Sequence, residues 1–224
     1  EIGAGAGALT QEIAKSAKKV VSFEIDKNLE NVLFEKLNSY NNVELIFSDI
    51  LNIKTQEIDN LFQNNYKIVA NLPYYITSPI IFKFLEESKK LDSMTIMVQK
   101  EVAEKMLAKP RTSSYGVLTV MVNYYADVKI TRTVKKQMFT PMPKVDSAIV
   151  YLKLKQKPFD KEFKRFIQTA FSMRRKTLLN NLLKLYKKED IESVFNKLNI
   201  SLNTRAEELS VTEFETLYNS FRQK

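Results

Sequence analysis

The chain opens with Glu1-Ile2-Gly3-Ala4-Gly5-Ala6-Gly7, a glycine-rich stretch that has the pattern of a strand end turning into a helix. Glycine tolerates positive φ and lets a ligand come close to the backbone. We expect the helix to begin near Ala8 and to continue through Lys18. A turn of this kind at a strand end predicts an α/β fold with a ligand bound at the turn.

The spacing of the glycines fits two cofactors. Gly3, Gly5 and Ala8 satisfy the dinucleotide fingerprint, whereas Gly3, Gly5 and Gly7 resemble the turn that binds S-adenosylmethionine. Glu24 lies 21 positions after Gly3, at the end of the apolar run 20–23, which suits a carboxylate that accepts hydrogen bonds from ribose hydroxyls. The sequence leaves the choice of cofactor open at this point.

A second acid, Asp49, follows the strand-like run 43–47. Its position suits a contact with the adenine of a cofactor. An isolated acid at a strand end is also a common helix cap. Both interpretations of Asp49 remain open.

Strand and helix patterns alternate up to about residue 155. Strand-like runs cover 20–25, 43–47, 67–70, 95–98, 128–134 and 148–154, and helix-like runs cover 28–37, 79–87, 101–108 and 117–125. The alternation predicts a mostly parallel, doubly wound sheet whose last two strands form an antiparallel pair.

The pattern changes after Pro158. Helical periodicity covers 159–171, 176–186, 191–198 and 211–221, which predicts a small all-helical domain. We therefore divide the chain into an α/β domain at 1–156 and a helical domain at 157–224. The segment 109–115, which contains Pro110, Ser113 and Ser114, is the best candidate for a mobile loop.

The tetrapeptide Asn71-Leu72-Pro73-Tyr74 follows the apolar run 68–70. The Asn71 side-chain oxygen and the Leu72 carbonyl can accept hydrogen bonds from an exocyclic amine and aim its lone pair at an electrophilic methyl group. Pro73 stiffens the turn, and Tyr74 offers a ring on which a base can stack. Together with the glycine turn, the tetrapeptide predicts methyl transfer to an amine on a nucleobase, although alone it fits any strand-to-helix turn.

Composition excludes several kinds of chemistry. The chain contains no histidine and no cysteine, so histidine bases, thiol nucleophiles, disulfides and the usual zinc sites are ruled out, and we expect no metal site. An amine acceptor needs none of these groups, because its surplus proton can leave to water. No signal peptide and no membrane-spanning run is evident, and the lack of cysteine fits a reducing cytoplasm.

The positive charge is concentrated in one part of the chain. Residues 129–188 carry 17 lysines and arginines against 3 acids, a local net charge of +14, whereas the whole chain of 224 residues carries +9. A contiguous basic excess favours a polyanionic partner, although lysines on a solvated face would give the same composition. We expect the partner to be RNA or DNA.

The ordered set of motifs resembles the ribosomal RNA adenine dimethyltransferases. The residues that carry the resemblance in the α/β part are 1–5, 24–26, 48–49, 71–74, 98–103, 115–116 and 139–147. Residues 170–178 and 205–211 resemble the branch that modifies small-subunit RNA, the kasugamycin-resistance (KsgA) enzymes. The resemblance spans almost the whole chain, and it is specific because the motifs occur together and in order.

The resemblance implies a Rossmann-like, S-adenosylmethionine-dependent methyltransferase sheet with a C-terminal helical RNA-binding domain. It implies dimethylation at N6 of two adjacent adenines in a stem-loop near the 3′ end of small-subunit RNA. The partner would be this RNA or the 30S pre-ribosomal particle, the protein would be cytoplasmic and act in ribosome biogenesis, and we expect a monomer that does not associate with membranes.

The resemblance also assigns residues to roles. The catalytic group comprises Asn71, Leu72, Pro73, Tyr74 and Phe139, with Phe139 on the second face of the target adenine unless it is a core aromatic. The cofactor group comprises Glu1, Gly3, Gly5, Glu24, Ile25, Asp49, Ile50 and Asn71. The RNA-binding group comprises Lys109, Arg111, Lys144, Arg174, Arg175 and Lys176; the last three, adjacent on a predicted helix, would not all reach RNA at once.

The chain departs from the family pattern at its start. Family members carry residues before the glycine motif, including a first strand and a Gln-Asn-Phe-like segment, whereas this chain begins at Glu1. We expect the sheet to lack most of its first strand and to expose an edge. We also expect the chain to fold but to be weakly active or inactive unless such residues are restored.

Three alternatives remain at the level of sequence. The first is a large-subunit adenine methyltransferase of the macrolide-resistance type, against which residues 205–211 argue. The second is a nicotinamide dehydrogenase that uses the same glycine turn. The third is a non-catalytic RNA-binding or assembly protein.

Overall fold

The computed structural model describes residues 1–222, and they form two compact units. The first unit consists of Glu1–Lys100 and Lys129–Leu154, and it contains the sheets. The second unit consists of Glu101–Val128 and Lys155–Lys224, and it is helical.

The first unit alternates helices and strands, as predicted. Its elements in chain order are α1 (Ala8–Ala14), β1 (Val20–Glu24), α2 (Glu30–Leu37), β2 (Val43–Phe47), α3 (Thr55–Asn60), β3 (Tyr66–Asn71), α4 (Thr77–Glu87), β4 (Leu91–Gln99), β5 (Ala126–Val134, which begins in the second unit) and β6 (Ser147–Leu154). The sequence pattern missed α3, a helix of six residues.

The strands form two sheets. Strand β1 pairs with β2 in parallel, and the other sheet has the order β3-β4-β6-β5, with β3 parallel and β6 antiparallel to β4. All five residues of β1 are buried, and β3 and β4 alternate between buried and more exposed positions. The mostly parallel α/β sheet that the sequence predicts is confirmed, and the last two strands, β5 and β6, are neighbours in it. That β5 and β6 run antiparallel to each other stays a prediction.

The predicted single sheet is interrupted between β1 and β3. A cavity of about 630 Å³ is lined by Val20 and Val21 of β1 and by Tyr66, Lys67 and Val69 of β3. An isolated parallel bridge from Ile2 to Phe23 places the start of the chain beside the end of β1. The two sheets therefore present β-strand edges to this cavity.

The second unit contains α5 (Lys100–Met106), α6 (Val117–Tyr125), α7 (Lys161–Ala170), α8 (Leu178–Leu182), α9 (Lys188–Lys197) and α10 (Val211–Arg222). Its core is aromatic. Phe163 lies 4.2 Å from the ring of Tyr124 and 5.2 Å from that of Tyr218, and Tyr186 stacks on Phe221 at 4.1 Å. These contacts join α6 to the C-terminal helices.

The packing divides the chain differently from the sequence-based boundary at residue 156. Segment 101–128 groups with the C-terminal helices, because α6 buries Val120, Met121 and Val122 and its Tyr124 packs on Phe163. No linker composition marks this return of the chain. The assignment of 157–224 to an RNA-binding domain stays a prediction.

Candidate functional site

A second cavity, of about 400 Å³, lies where β1, β2 and β3 of the first unit end. Its wall is formed by Ile2, Gly3, Gly5, Phe23, Glu24, Ile25, Ser48, Asp49, Ile50, Leu51, Asn71, Pro73, Tyr75 and Ile76. The carboxyl edge of parallel strands is where α/β proteins bind ligands. Seven of the eight residues that the sequence assigned to the cofactor line this one cavity.

Glu24 holds the glycine turn in place. Its carboxylate accepts hydrogen bonds from the backbone N–H groups of Gly5 (2.8 Å), Ile25 (2.8 Å) and Asp26 (2.9 Å), and the residue is 7% exposed. Gly3 and Gly5 have φ of 78° and 55°, values that favour glycine. A carboxylate has about four acceptor positions, so one position remains on Glu24 for a ligand hydroxyl.

Asp49 serves the local turn and also faces the cavity. Its carboxylate accepts a hydrogen bond from the Leu51 N–H at 2.9 Å and one from the Asn52 side-chain amide at 3.3 Å. Asp49 thus stabilises a turn and does not cap a helix, because the next helix begins at Thr55 with Lys54 as its N-cap, and its contact with an adenine stays a prediction.

Glu1 lies outside the site cavity, although the sequence grouped it with the cofactor residues. Its carboxylate accepts hydrogen bonds from the hydroxyls of Thr10 and Ser22, the latter at 2.7 Å, and Glu1 lines the cavity between the sheets instead. In this structure Glu1 ties α1 to β1. Its predicted contact with the cofactor has no support in this geometry.

The Asn71-Leu72-Pro73-Tyr74 turn begins at the last residue of β3, on the rim of the cavity. Asn71 is exposed, and within residues 1–222 its side-chain amide has no hydrogen-bond partner. Leu72 is 1% exposed and its N–H donates to the Met97 carbonyl at 3.3 Å, which anchors the turn to β4. The turn is therefore held to β4 by the Leu72 backbone, and it leaves the Asn71 side-chain amide free at the cavity.

Tyr74 is half-buried and is not among the residues that line this cavity. It begins the 3-10 helix Tyr74–Ile76, and its hydroxyl lies 2.8 Å from that of Ser147, the first residue of β6. The next residue, Tyr75, is 82% exposed and lines the cavity.

The loop 135–146 carries Phe139 and Lys144. Phe139 is half-buried and Lys144 is exposed, as are Met138 and Met142 at 76% and 61%. The structure records no contact between Phe139 and Tyr74, so their placement on opposite faces of one base stays a prediction.

Asp146, the last residue of this loop, holds the two ends of the loop together, and we call this contact the neck of the loop. Its carboxylate accepts hydrogen bonds from the Lys136 N–H at 3.0 Å and from the Lys135 ammonium at 3.2 Å. These two donors, the backbone N–H first, hold the pKa of the Asp146 carboxyl below its ordinary value. The backbone carbonyl of Asp146 also accepts from the Lys100 N–H at 3.0 Å.

Comparison with known proteins agrees with this geometry. The model of the family described as ribosomal RNA adenine dimethylase matches residues 1–223. The chain belongs to the ribosomal RNA adenine dimethylase family. The expectation drawn from the motifs is thereby confirmed, and the choice between cofactors falls on S-adenosylmethionine rather than a dinucleotide.

Individual members of the family match almost the whole chain. A protein of Caldanaerobacter subterraneus subsp. tengcongensis named ribosomal RNA small subunit methyltransferase A is 46% identical, over 98% of this chain and 85% of its own length. The protein of the same name from Clostridioides difficile is 42% identical, over 100% of this chain and 81% of its own length.

Solved structures of related enzymes share the fold. A dimethyladenosine transferase from Plasmodium falciparum superimposes with a TM-score of 0.85 at 29% identity, covering 99% of this chain and 88% of that one. The 23S rRNA methyltransferase ErmE superimposes with a TM-score of 0.74 at 27% identity, covering 99% and 89%.

The residues of the cavity fit the cofactor that the ribosomal RNA adenine dimethylases use. The volume of about 400 Å³ is in the range of small-molecule sites, and a Cβ added at Gly5 would meet no atom within 4 Å, so open space adjoins the turn. Among residues 1–222 no group of three or more acidic side chains has the arrangement of a metal site.

Two of the predicted RNA-binding residues, Lys109 and Arg111, are exposed and lie on the segment 109–115, which ends at the buried Tyr115. The Arg111 N–H donates to the Glu207 carbonyl at 2.7 Å, which fixes this segment to the 3-10 helix Ala206–Glu208. The segment is therefore anchored at Arg111, and its mobility stays a prediction.

The basic triplet Arg174, Arg175 and Lys176 lies in the connection between α7 and α8, not on a helix face. The predicted helix 176–186 is wrong in extent, because α8 covers only Leu178–Leu182. Arg174 donates to the Glu207 carboxylate at 3.1 Å and to the Ser113 carbonyl, so it acts as a clamp within the unit. Arg175 and Lys176 are exposed.

Sequence reasoning missed part of the cavity wall. The lining residues that had not been assigned to the cavity are Ile2, Phe23, Ser48, Leu51, Tyr75 and Ile76. Each is a direct neighbour of an assigned residue or belongs to the same turn, so adjacency was the available signal.

Within the described part of the chain, no helix is long and apolar enough to cross a membrane.

Proposed function

We propose that this protein transfers methyl groups from S-adenosylmethionine to N6 of two adjacent adenines in small-subunit ribosomal RNA. The observation that carries the proposal is the position of the Asn71-Leu72-Pro73-Tyr74 turn on the rim of the cavity formed by Gly3, Glu24 and Asp49. Relatives that are 46% and 42% identical carry the name ribosomal RNA small subunit methyltransferase A, which supports this substrate.

The chain's own residues would bind and orient the reactants. The bound S-adenosylmethionine supplies an electrophilic methyl group. Asn71 presents an unpaired amide whose oxygen can accept a hydrogen bond from the adenine amine, with Leu72 adding its carbonyl. Holding the amine at the methyl group in this way removes much of the entropic barrier.

The remaining catalytic residues would hold the base. Tyr74 and Phe139 would pack on the flipped adenine, and a contact of this kind contributes about 1–3 kcal/mol per base. Pro73, with φ of −57°, keeps the turn stiff. Water accepts the surplus proton, since the chain contains no histidine or cysteine base.

The proposal also covers the place of the target adenines and the residues that contact the RNA. The target adenines lie in a stem-loop near the 3′ end of the small-subunit RNA, and the substrate is the 30S pre-ribosomal particle. The protein acts as a cytoplasmic monomer. Lys109, Arg111, Lys144, Arg175 and Lys176 would contact phosphates, and Arg174 would support them through its clamp.

Transfer of labelled methyl groups from S-adenosylmethionine to unmethylated small subunits tests the proposal. With the residues before the glycine motif restored as in the family pattern, we expect incorporation, and a decrease of about 100- to 1,000-fold when Asn71→Ala is added, the scale of losing one hydrogen bond to a reacting group. Asn60→Ala, at another exposed asparagine, serves as the matched control. Equal incorporation by the two variants would contradict the role of Asn71.

A second candidate is methylation of large-subunit RNA, favoured by the superposition on the 23S rRNA methyltransferase ErmE. Parallel assays on purified small and large subunits distinguish the two. Incorporation confined to large subunits would replace the proposed substrate, and RNA binding without incorporation into either would favour a non-catalytic protein.

A further inference from the structure

The hydroxyl groups of Tyr74 and Ser147 form a hydrogen bond at 2.8 Å between residues 73 positions apart in the chain. Ser147 is 0% exposed and Tyr74 is half-buried. A buried hydroxyl without a partner is costly, so this contact is favoured in the folded protein.

The sheet register brings the two residues together. Asn71, at the end of β3, lies opposite Met97 of β4, and Ser147, at the start of β6, lies opposite Gln99 of the same strand. Strands β3 and β6 therefore flank the end of β4. The turn after β3 and the first residue of β6 meet there.

This hydrogen bond restrains the orientation of the Tyr74 ring. Within residues 1–222 no other aromatic ring packs against Tyr74, whose hydroxyl is held at the tip of the side chain. Holding both the backbone and the hydroxyl of a tyrosine restrains the rotation about its Cα–Cβ bond, so the side chain cannot swing away without breaking this contact. Asn71 lies three residues before Tyr74, so the ring and the free amide are set by one rigid turn.

We propose that Ser147 is a positioning residue for methyl transfer, which holds the Tyr74 side chain in the rotamer that presents its ring to the target base. This inference rests on the proposed function, in which Tyr74 packs on the adenine. Ser147 itself is buried, does not line the cavity and acts only through Tyr74. It also couples the site to the neck of loop 135–146, because Asp146 is the preceding residue.

Ser93 provides a matched control for Ser147. It is 2% exposed on β4, and it lies opposite Lys153 of β6, six residues from the Gln99 that faces Ser147. Six residues of strand separate the two serines by about 20 Å. Ser93→Ala therefore removes a buried hydroxyl from the same sheet without reaching Tyr74.

The kinetic test compares Ser147→Ala, Tyr74→Phe and the double variant. We expect each single change to lower kcat about 5- to 10-fold, the scale of one hydrogen bond, with KM for S-adenosylmethionine within twofold of the unmodified protein. The double variant should be no slower than the slower single variant, since both changes remove the same contact. Ser93→Ala should leave kcat unchanged.

A purely structural role for Ser147 predicts a different pattern. Ser147→Ala would then slow the Tyr74→Phe protein as much as it slows the unmodified protein. That result, or an unchanged kcat in Ser147→Ala, would overturn the inference.

A second measurement is independent of activity. In protein labelled with 3-fluorotyrosine, the Tyr74 resonance is identified by its loss in Tyr74→Phe. Ser147→Ala should shift or broaden that resonance, and Ser93→Ala should not. An unmoved resonance would overturn the inference even if methyl transfer occurs, whereas a shifted resonance without any methyl transfer by the unmodified protein would contradict the proposed function.

Discussion

At the scale of single residues, the candidate site depends on backbone groups held by a few side chains. The sequence placed Glu24 correctly at the end of β1, because the spacing from the glycine turn is a local property. It did not show that three backbone N–H groups, those of Gly5, Ile25 and Asp26, occupy its carboxylate. Such contacts depend on the path of the turn in three dimensions.

Replacing Glu24 by alanine should therefore affect both stability and binding. We expect the free energy of unfolding to fall by about 2–3 kcal/mol, because three backbone N–H groups lose the buried carboxylate that accepts their hydrogen bonds. Affinity for S-adenosylhomocysteine, measured by calorimetry, should fall at least tenfold. Glu44→Ala, at an exposed glutamate of β2 that pairs with Lys19, is the control and should change neither quantity measurably.

Gly5 and Gly116 make a second matched pair. A Cβ at either position meets no atom within 4 Å, but Gly5 has φ of 55° whereas Gly116 is extended at −177°. Gly5→Ala should cost about 1–2 kcal/mol of unfolding free energy through strain, and Gly116→Ala should stay within about 0.5 kcal/mol of the unmodified protein. Urea unfolding measures both free energies. Equal losses in Gly5→Ala and Gly116→Ala would show that a side chain at Gly5 does not strain the turn.

At the scale of elements, sequence periodicity found most helices and strands but not their ends. The first helix stops at Ala14 instead of Lys18, because the Asn42 side-chain amide donates to the carbonyls of Ala14 and Ala17 at 2.9 Å and 2.8 Å. Asn42 is distant in sequence, so the pattern of residues 8–18 could not reveal this cap.

The helix predicted at 176–186 is also shorter in the structure, where α8 covers only Leu178–Leu182. Thr177 caps its start by accepting a hydrogen bond from the Asn180 N–H, and the buried Asn181 side chain donates to the carbonyls of Ala170 and Met173. These polar contacts fix α8 against the end of α7. The spacing of apolar residues along the sequence does not reveal such polar contacts.

Loop 135–146 should depend on Asp146 at its neck. Asp146→Ala removes the acceptor for the Lys136 N–H, so hydrogen exchange of that amide should accelerate about tenfold relative to the unmodified protein. Asp92→Ala, which breaks the exposed pair with Lys153, should leave the Lys136 amide unchanged. If both variants exchange at the rate of the unmodified protein, Asp146 does not hold the loop.

The same contact gives a pH dependence. Because the folded protein lowers the pKa of Asp146 from 3.8, the carboxylate stays charged between pH 7 and pH 5 and its stabilising effect is fully present there. The effect is lost only as the pH falls below about 4. Protection of the Lys136 amide, corrected for intrinsic exchange, should follow this course, and a loss already at pH 6 would contradict it.

At the scale of the whole molecule, the sequence predicted an α/β part, a helical part and a strong basic bias, and it missed how segment 101–128 returns to the helices. That grouping comes from packing between residues far apart in the chain, such as Tyr124 and Phe163. The charge bias is visible in composition, whereas the partners of individual basic residues are not. Arg174 shows the difference, since its guanidinium is engaged by Glu207 and Ser113.

Variants of the basic triplet should separate RNA contact from support. Arg175→Ala and Lys176→Ala should each weaken RNA binding and reduce the slope of log affinity against log salt by about 0.7–0.9, the effect of one lost phosphate contact. Arg174→Ala should leave this slope unchanged and should accelerate trypsin cleavage after Arg111, because it releases the segment at Ser113. Lys197→Ala, at the end of α9, is the exposed control.

An equal loss of slope in Arg174→Ala would contradict the clamp and assign Arg174 to the RNA surface. Unchanged slopes in Arg175→Ala and Lys176→Ala would remove the connection between α7 and α8 from the proposed interface.

The position and chemistry of the product test the central claim most directly. Small subunits are treated with S-adenosylmethionine and with the protein in which the residues before the glycine motif are restored. The RNA is then digested, and the modified nucleosides are identified by mass spectrometry and mapped on the RNA. We predict N6,N6-dimethyladenosine at two adjacent adenines near the 3′ end of the small-subunit RNA, absent with Asn71→Ala. Methylation of another base, or dimethyladenosine found only in large-subunit RNA, would contradict the account.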